Sequence, residues 1–399
     1  MRAMSIAAPA AAPHSHAQPL SLLLNVAHAL DHLVLLIFAA AVGVIANEFG
    51  FARWEDLMPY ATGAFFAFGL GALPSGKLGD AWGRRPMMLT FFFGLGASLF
   101  LVAATTSAWQ LALALTLVGV FASIYHPVGI PMLVQKSATP GRTIGINGLA
   151  GNLGIALAAV LTGLLVKYFG WRAAFAVPGV LSIACGIVFA RVAVESEPPA
   201  RRAAVKATLP LGALARAFAV ITLTATTGNL LFNFTTNGNG ELLRDRMAAV
   251  VTDPAALGLL LASVYVVASF SQLIVGRLID RHSIKRLLLA IAALQIPLFV
   301  AAAHAHGWAF YLLAVAMMAF VFGAIPFTDA MIVRFVDDRM RSRAAGMRLT
   351  ISFGISSAAV YLLGPLVKAA GFGFLLLLMA AIAGVTVVAA AFLPAAAHR

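Results

Sequence analysis

Gly76-Lys77-Leu78-Gly79-Asp80-Ala81-Trp82-Gly83-Arg84-Arg85-Pro86 is a polar, basic island between two apolar runs, and residues 276–281 restate it as Gly276-Arg277-Leu278-Ile279-Asp280-Arg281. The offset from Gly76 to Gly276 is 200 residues, and the pair Arg84-Arg85 returns as Lys285-Arg286. Pro127 has a counterpart in Pro326, and Arg142 in Arg343. These correspondences at nearly one offset define an internal repeat. Two repeats related about an axis normal to a membrane enclose a cavity, which rocking of the halves exposes to each side in turn.

The rest of the chain supplies the membrane. Of 399 residues, 62% are hydrophobic and 10% charged, whereas a water-soluble domain carries about 25% charged residues. Apolar runs of about 20 residues match a hydrocarbon core of about 30 Å. The short alternating segments of a membrane barrel do not dominate. The apolar spans fall at 20–47, 57–79, 86–106, 108–134, 142–167 and 171–193, then 213–238, 254–279, 286–304, 307–333, 344–368 and 371–395. The expected fold is an all-α polytopic membrane protein, with twelve transmembrane helices in two six-helix pseudo-symmetric bundles. Its expected domains are a disordered tail (1–19), a first bundle (20–194), a linker with Pro198 and Pro199 (195–212), a second bundle (213–395) and a short tail (396–399).

Charge sets the expected orientation. With both termini and the even-numbered loops in the cytoplasm, 21 of the 27 Lys and Arg residues lie on that side. The other six are Arg53, Lys167, Arg172, Arg244, Arg246 and Lys368. Such a bias places the termini of an inner-membrane protein inside. The formal charge of +13 is spread in short clusters beside apolar runs, which fits lipid headgroups rather than nucleic acid. The lone Cys185 permits no intrachain disulfide, and no linear spacing of ligand residues reads as a metal site. No cofactor is expected, and the chain is expected to be monomeric.

The island at residues 76–86 resembles the loop 2–3 signature of the major facilitator superfamily, and the copy at 276–281 is similar to that family's degenerate second copy. Ser283 stands where that copy's second glycine is expected. Within the superfamily, Asn25-Val-Ala-His28-Ala-Leu-Asp31 together with Tyr125-His126-Pro127 resembles the fosmidomycin-resistance branch of bacterial efflux carriers. That resemblance implies proton-driven export of a small compound. The superfamily resemblance implies a gate formed by Gly76, Asp80, Gly83, Arg84 and Arg85; the repeat adds Asp280, Arg281 and, from the tenth span, Asp329.

Asp31 lies 11 residues into the first span, about 16 Å along a helix axis. An Asp at the centre of a membrane helix costs about 2.5–3.5 kcal/mol on insertion scales, so it is expected to be paired, protonated or facing a water-filled cavity. His28 and His32 flank it, and an Asp–His pair can exchange a proton near neutral pH. Asp31, His28 and His32 are the expected proton-coupling group. Pro127 is expected to kink the fourth span, turning Tyr125 and His126 toward the cavity. Asn229, Asn233, Thr236 and Asn237 recur at helical spacing as a polar stripe on the seventh span, expected to face the cavity or mark a broken helix end. Asn25 and Asn152 complete the expected substrate-cavity set. Glu241, Arg244, Asp245 and Arg246 read as solvated ion pairs. Gly145, Gly148, Gly151 and Gly154 read as a close-packing surface, and Trp54, Trp109, Trp171 and Trp308 as interfacial anchors.

No nucleophile–base arrangement or nucleotide-binding loop is present, so an ion gradient or the substrate's own gradient is the expected energy source, and an embedded enzyme is not expected. The expected function is proton-coupled export of a small amphipathic or antibiotic-like molecule by alternating access. The alternatives are uptake or exchange of a metabolite or siderophore, and a membrane sensor or assembly protein that has kept the fold without transport.

Overall fold

The computed structural model describes residues 17–135, 137, 140–192, 211–335 and 338–393. Eleven helices among them are long and apolar enough to cross a membrane. They are α1 (Ala17–Glu48), α2 (Trp54–Trp82), α3 (Arg84–Ala103), α4 (Ala108–Val134), α5 (Pro140–Phe169), α6 (Trp171–Arg191) and α7 (Leu211–Met247). Then follow α8 (Pro254–Arg281), α9 (Ile284–His304), α10 (Gly307–Gly323, resuming at Ile325–Phe335) and α11 (Asp338–Ala391). The protein is an all-α multi-pass membrane protein. Large apolar side chains such as Leu113, Val180, Leu312 and Phe392 stand more than half exposed on its outside, which water would not tolerate and lipid does.

Two spans read as separate join in α11. The only non-helical residue between them is Gly371, at φ 76° and ψ 173°, a conformation that costs glycine little and other residues much. The chain reverses there. Lys368 meets Asp56 at one end of the molecule, Gly373 lies against the Ala303 carbonyl at the end of α9, and Ala391 has returned to Lys285 at the start of α9. Gly83 does the same work between α2 and α3, at φ 100°. Ser283, its counterpart, has φ −63°, so the second copy needs no glycine there.

Packing repeats with the sequence. In the first half α1 packs on α5, α2 on α4, and α3 on α6; in the second, α7 packs on α11, α8 on α10, and α9 on α11. The halves meet through α5 against α8 and α2 against α11. Even the capping repeats. Arg85 donates to the Ala190 carbonyl at the end of α6 (2.6 Å), and Lys285 to the Ala391 carbonyl at the end of α11 (2.6 Å). A cation on the last carbonyls of a helix complements its dipole.

The end opposite the residue 76–86 island is drawn shut. There Lys167 pairs with Asp253 at 2.6 Å and Lys368 with Asp56 at 2.5 Å, so each half sends one lysine to an acid of the other. A Cβ on Gly258 of α8 would sit 2.7 Å from the Ala159 carbonyl of α5, leaving room only for glycine. Toward the island end, Gly148 of α5, Gly276 of α8 and Gly354 of α11 face open space.

Several expectations are corrected. Helix α1 already runs at Ala17, within the segment read as a tail. Helix α7 is unbroken through its asparagines to Met247, because the stripe turns its amide donors onto its own backbone: Asn233 to the Asn229 carbonyl (2.9 Å) and Asn237 to the Asn233 carbonyl (3.1 Å). Glu241 is buried beside Gly43 rather than solvated. Trp171 is buried, its Nε1 donating to Glu48 (2.6 Å), and is no interfacial anchor, whereas Trp109 and Trp308 are exposed. Residues 195–210 of the linker, the far termini and the side chain of Asp329 lie outside the described residues, and the last two linker residues already belong to α7.

Candidate functional site

Helix α4 sets the geometry. Pro127 has no N–H to give and crowds the preceding turn, and the chain answers with a wide π-helical turn at Tyr125–Gly129 between Ala108–Ala122 and Ile130–Val134. Such turns re-aim side chains and recur at functional sites. Gly76 and Gly79 of the island pack on this turn: a Cβ on Gly79 would lie 2.9 Å from Val128. Ser75 holds the same junction, at 3.2 Å from Ser123.

The π-turn brings His126 to α1. His126 Nε2 stands 3.5 Å from Asp31 Oδ2. Asp31 is 0% exposed, and neither of its oxygens has a hydrogen-bond partner; His126 Nε2 likewise has none. Around this pair, His28 and His126 rings lie 5.1 Å apart, and His32 and His126 rings 5.7 Å. His28 Nε2 and His32 Nε2 are 3.1 Å apart. His28 Nδ1 donates to the Asn147 carbonyl at 2.7 Å, so in the neutral ring His28 Nε2 accepts and His32 Nε2 donates.

A second layer fixes the imidazoles. Tyr125 stacks on His28 at 4.8 Å and donates to the Leu24 carbonyl at 2.8 Å. The Asn147 amide donates to both Tyr125 Oη (2.8 Å) and Asn25 Oδ1 (2.9 Å). Helices α1, α4 and α5 are thus tied at one point. Close approach of α5 depends on Gly151, where a Cβ would lie 2.7 Å from the His28 ring, and on Gly154, which touches the Ala29 backbone. The other two glycines of that series, Gly145 and Gly148, touch nothing. From the far side Phe68 of α2 packs on His126 (5.7 Å) and on Phe353 of α11 (5.3 Å), so the cluster sits at the seam between halves.

The structure thus gathers Asn25, His28, Asp31, His32, Tyr125 and His126. Asn152 is buried nearby on α5 with its amide nitrogen unpartnered. On α7, Asn233 and Asn237 are buried and Asn229 is half-buried; no hydrogen bond or ring contact among the described residues joins them to the histidines. Thr236 instead lines a small cavity between halves with Leu36, Ala39, Ile155 and Tyr265. Among the island residues, Asp80 is exposed without an ion pair among the described residues, Arg84 donates to Gln135 (3.1 Å), and Asp280 and Arg281 are exposed. Asn147 was missed by sequence reasoning, although a lone amide between Gly145 and Gly148 in an apolar span is the signal that marks it. The histidine cluster was missed as a ligand set because His126 joins it only through the α4 turn.

Comparison with known proteins agrees with this architecture. The Major Facilitator Superfamily profile matches residues 24–243. The puromycin resistance protein pur8 of Streptomyces alboniger is 32% identical over 109 residues, 27% of this chain and 22% of that protein. The tetracenomycin C resistance and export protein of Streptomyces glaucescens is 26% identical over 143 residues, 34% of this chain and 26% of its own length. The matched stretches therefore span about a quarter of these relatives. A bacterial homolog of the human lysosomal transporter Spinster, solved in an inward-facing, occupied conformation, shares the fold. Its TM-score is 0.73 at 17% identity, with 96% of this chain and 97% of that one covered. With the profile spanning more than half its length and the repeat visible in its packing, the chain belongs to the Major Facilitator Superfamily.

Proposed function

We propose that this protein is a secondary transporter of small molecules that works by alternating access and is driven by protons exchanged at Asp31. The observation that carries the reading is the carboxylate itself. Asp31 is fully buried at the seam between halves, with no donor to either oxygen and His126 at 3.5 Å. Such a group is tolerable protonated when the seam is dry and ionised when water enters, which ties its proton to the position of the halves. His28 and His32 tune that exchange.

Counting the arms of α11 separately gives twelve crossings in two six-helix halves. The basic-residue bias puts the island end and both termini in the cytoplasm of a bacterial inner membrane, so the end held by Lys167–Asp253 and Lys368–Asp56 faces outward. The island residues Gly76, Asp80, Gly83, Arg84 and Arg85, with Asp280, Arg281 and Asp329, close the island end when the outward end opens. Asn25, Tyr125, His126, Asn152, Asn229, Asn233 and Asn237 contact substrate. The aromatic wall of Phe68 and Phe353 and the unpartnered Asn152 amide suit an amphipathic molecule, and resistance and export proteins among the relatives favour efflux. The test is transport in sealed vesicles over a broad panel of antibiotic-like compounds under imposed pH and charge gradients. Accumulation driven by a pH gradient supports the reading; accumulation indifferent to it contradicts proton coupling.

A further inference from the structure

We propose that His28, His32, His126 and Asp31 form a binding site for one first-row divalent transition-metal ion of the zinc type. The three imidazoles each offer a nitrogen, and these atoms all lie within 4.8 Å of one another. Donors on one ion at about 2.1 Å stand no more than about 4.2 Å apart, so the cluster closes by a few tenths of an ångström on binding, with Asp31 reached through its contact with His126. Two edges of a coordination tetrahedron are already at their proper length. Ligand bonds of about 2.0–2.1 Å to Zn²⁺ put tetrahedral ligands about 3.3 Å apart. His28 Nε2 and His32 Nε2 are 3.1 Å apart, and His126 Nε2 and Asp31 Oδ2 are 3.5 Å apart.

Asp31 and His126 are free to accept an ion. Both Asp31 oxygens and His126 Nε2 are buried without a hydrogen-bond partner. A buried carboxylate in that position is stabilised by an ion more fully than by a neutral ring. His28 donates its other nitrogen to the Asn147 carbonyl at 2.7 Å, the outer contact that fixes the tautomer and orientation of metal-bound histidines. Binding needs His32 to move its proton from Nε2 to Nδ1, a tautomer change with no net loss of protons from the ring. His32 and His126 are partly exposed, which gives an ion a way in. Three neutral imidazoles and one carboxylate make a mixed nitrogen–oxygen set that suits Zn²⁺ or Co²⁺ and disfavours Mg²⁺ and Ca²⁺, which take oxygen.

All four ligands come from α1 and α4 of the first half, so the ion does not bridge the halves. The site therefore stands independently of the transport reading, and its test uses no gradient. Purified, tag-free protein in detergent is titrated with Zn²⁺ against a chromogenic chelator and, separately, with Co²⁺ while visible absorption is recorded. The expected result is one ion per chain and an intense tetrahedral Co²⁺ spectrum. His32→Gln, His126→Gln and Asp31→Asn should each weaken Zn²⁺ binding by about 10-fold or more and erase the spectrum. His304→Gln, an exposed histidine at the end of α9, should change neither. Monodisperse elution and unchanged helical circular dichroism show that each variant is folded. Wild-type binding no tighter than that of His32→Gln and His126→Gln, or binding through His304, overturns the site. So does a Co²⁺ spectrum of octahedral type. Failure of vesicle transport alongside metal binding would remove the transport reading and leave the site.

Discussion

Asp31 keeps company with three imidazoles and yet receives no hydrogen bond, while the residues around it are held with unusual care. Gly151 and Gly154 set the distance between α1 and α5, and Asn147 locks Tyr125 and His28 from α5. Gly154→Ala is therefore expected to force these helices apart and cost about 1–3 kcal/mol, the usual penalty of overpacking. Gly148→Ala, which meets open space, should be neutral or stabilise by about 0.5–1 kcal/mol through helix propensity. Thermal unfolding in detergent separates the two; equal effects would refute the packing argument. Asp31 and His28 could be singled out in the sequence because an acid in an apolar span is costly wherever it sits. The partnership with His126 could not, because it depends on how Pro127 widens one turn of α4.

Pairs of helices carry the conformational argument. Lys167 and Lys368 break the orientation rule in sequence, and in space they are the two lysines that tie the halves at the closed end. Their role was illegible without tertiary contact, since neither acid partner is near in sequence. Replacing both by Gln should shift the population toward states open at that end, read as longer distances between spin labels on α5 and α8 there; unchanged distances would rule out the clamp. Asp253 is held below the usual carboxylate range chiefly by the hydrogen bond from Lys167, helped by the Ala256 amide. A depressed carboxylate contributes above the ordinary range and is lost only as pH falls through its lowered value. The difference in label distance between wild type and Asp253→Asn should thus stay constant from pH ~6 to ~8 and vanish only well below ~4. At the island end Asp80 is proposed to help close a gate between the halves. Asp80→Asn should lengthen the distances between labels on the two island-end surfaces. An unchanged distribution would reject that role and leave Gly76 and Gly79 as packing residues for the α4 turn.

The molecule as a whole reads as two copies of one packing plan, and that much followed from the 200-residue offset and the apolar spans. The last turn also falls where the spans 344–368 and 371–395 meet, with Gly371 as its one non-helical residue. All six basic residues at the closed end pair with acids: Arg53 with Glu55, Lys167 with Asp253, Arg172 with Glu48, Arg244 with Glu241, Arg246 with Asp245 and Lys368 with Asp56. The expected sidedness, with the island end in the cytoplasm, rests on the basic-residue bias. A cysteine placed at Ser196 in a Cys185-free background should resist impermeant reagent added outside intact cells; rapid labelling would reverse the sidedness. The most direct test of proton-driven alternating access is proton flux into proteoliposomes on adding a transported compound, measured together with substrate efflux for wild type and Asp31→Asn. Wild type should move protons with substrate, whereas Asp31→Asn should lose proton flux and gradient-driven accumulation while keeping downhill exchange. Coupling in Asp31→Asn equal to that of wild type would contradict the account.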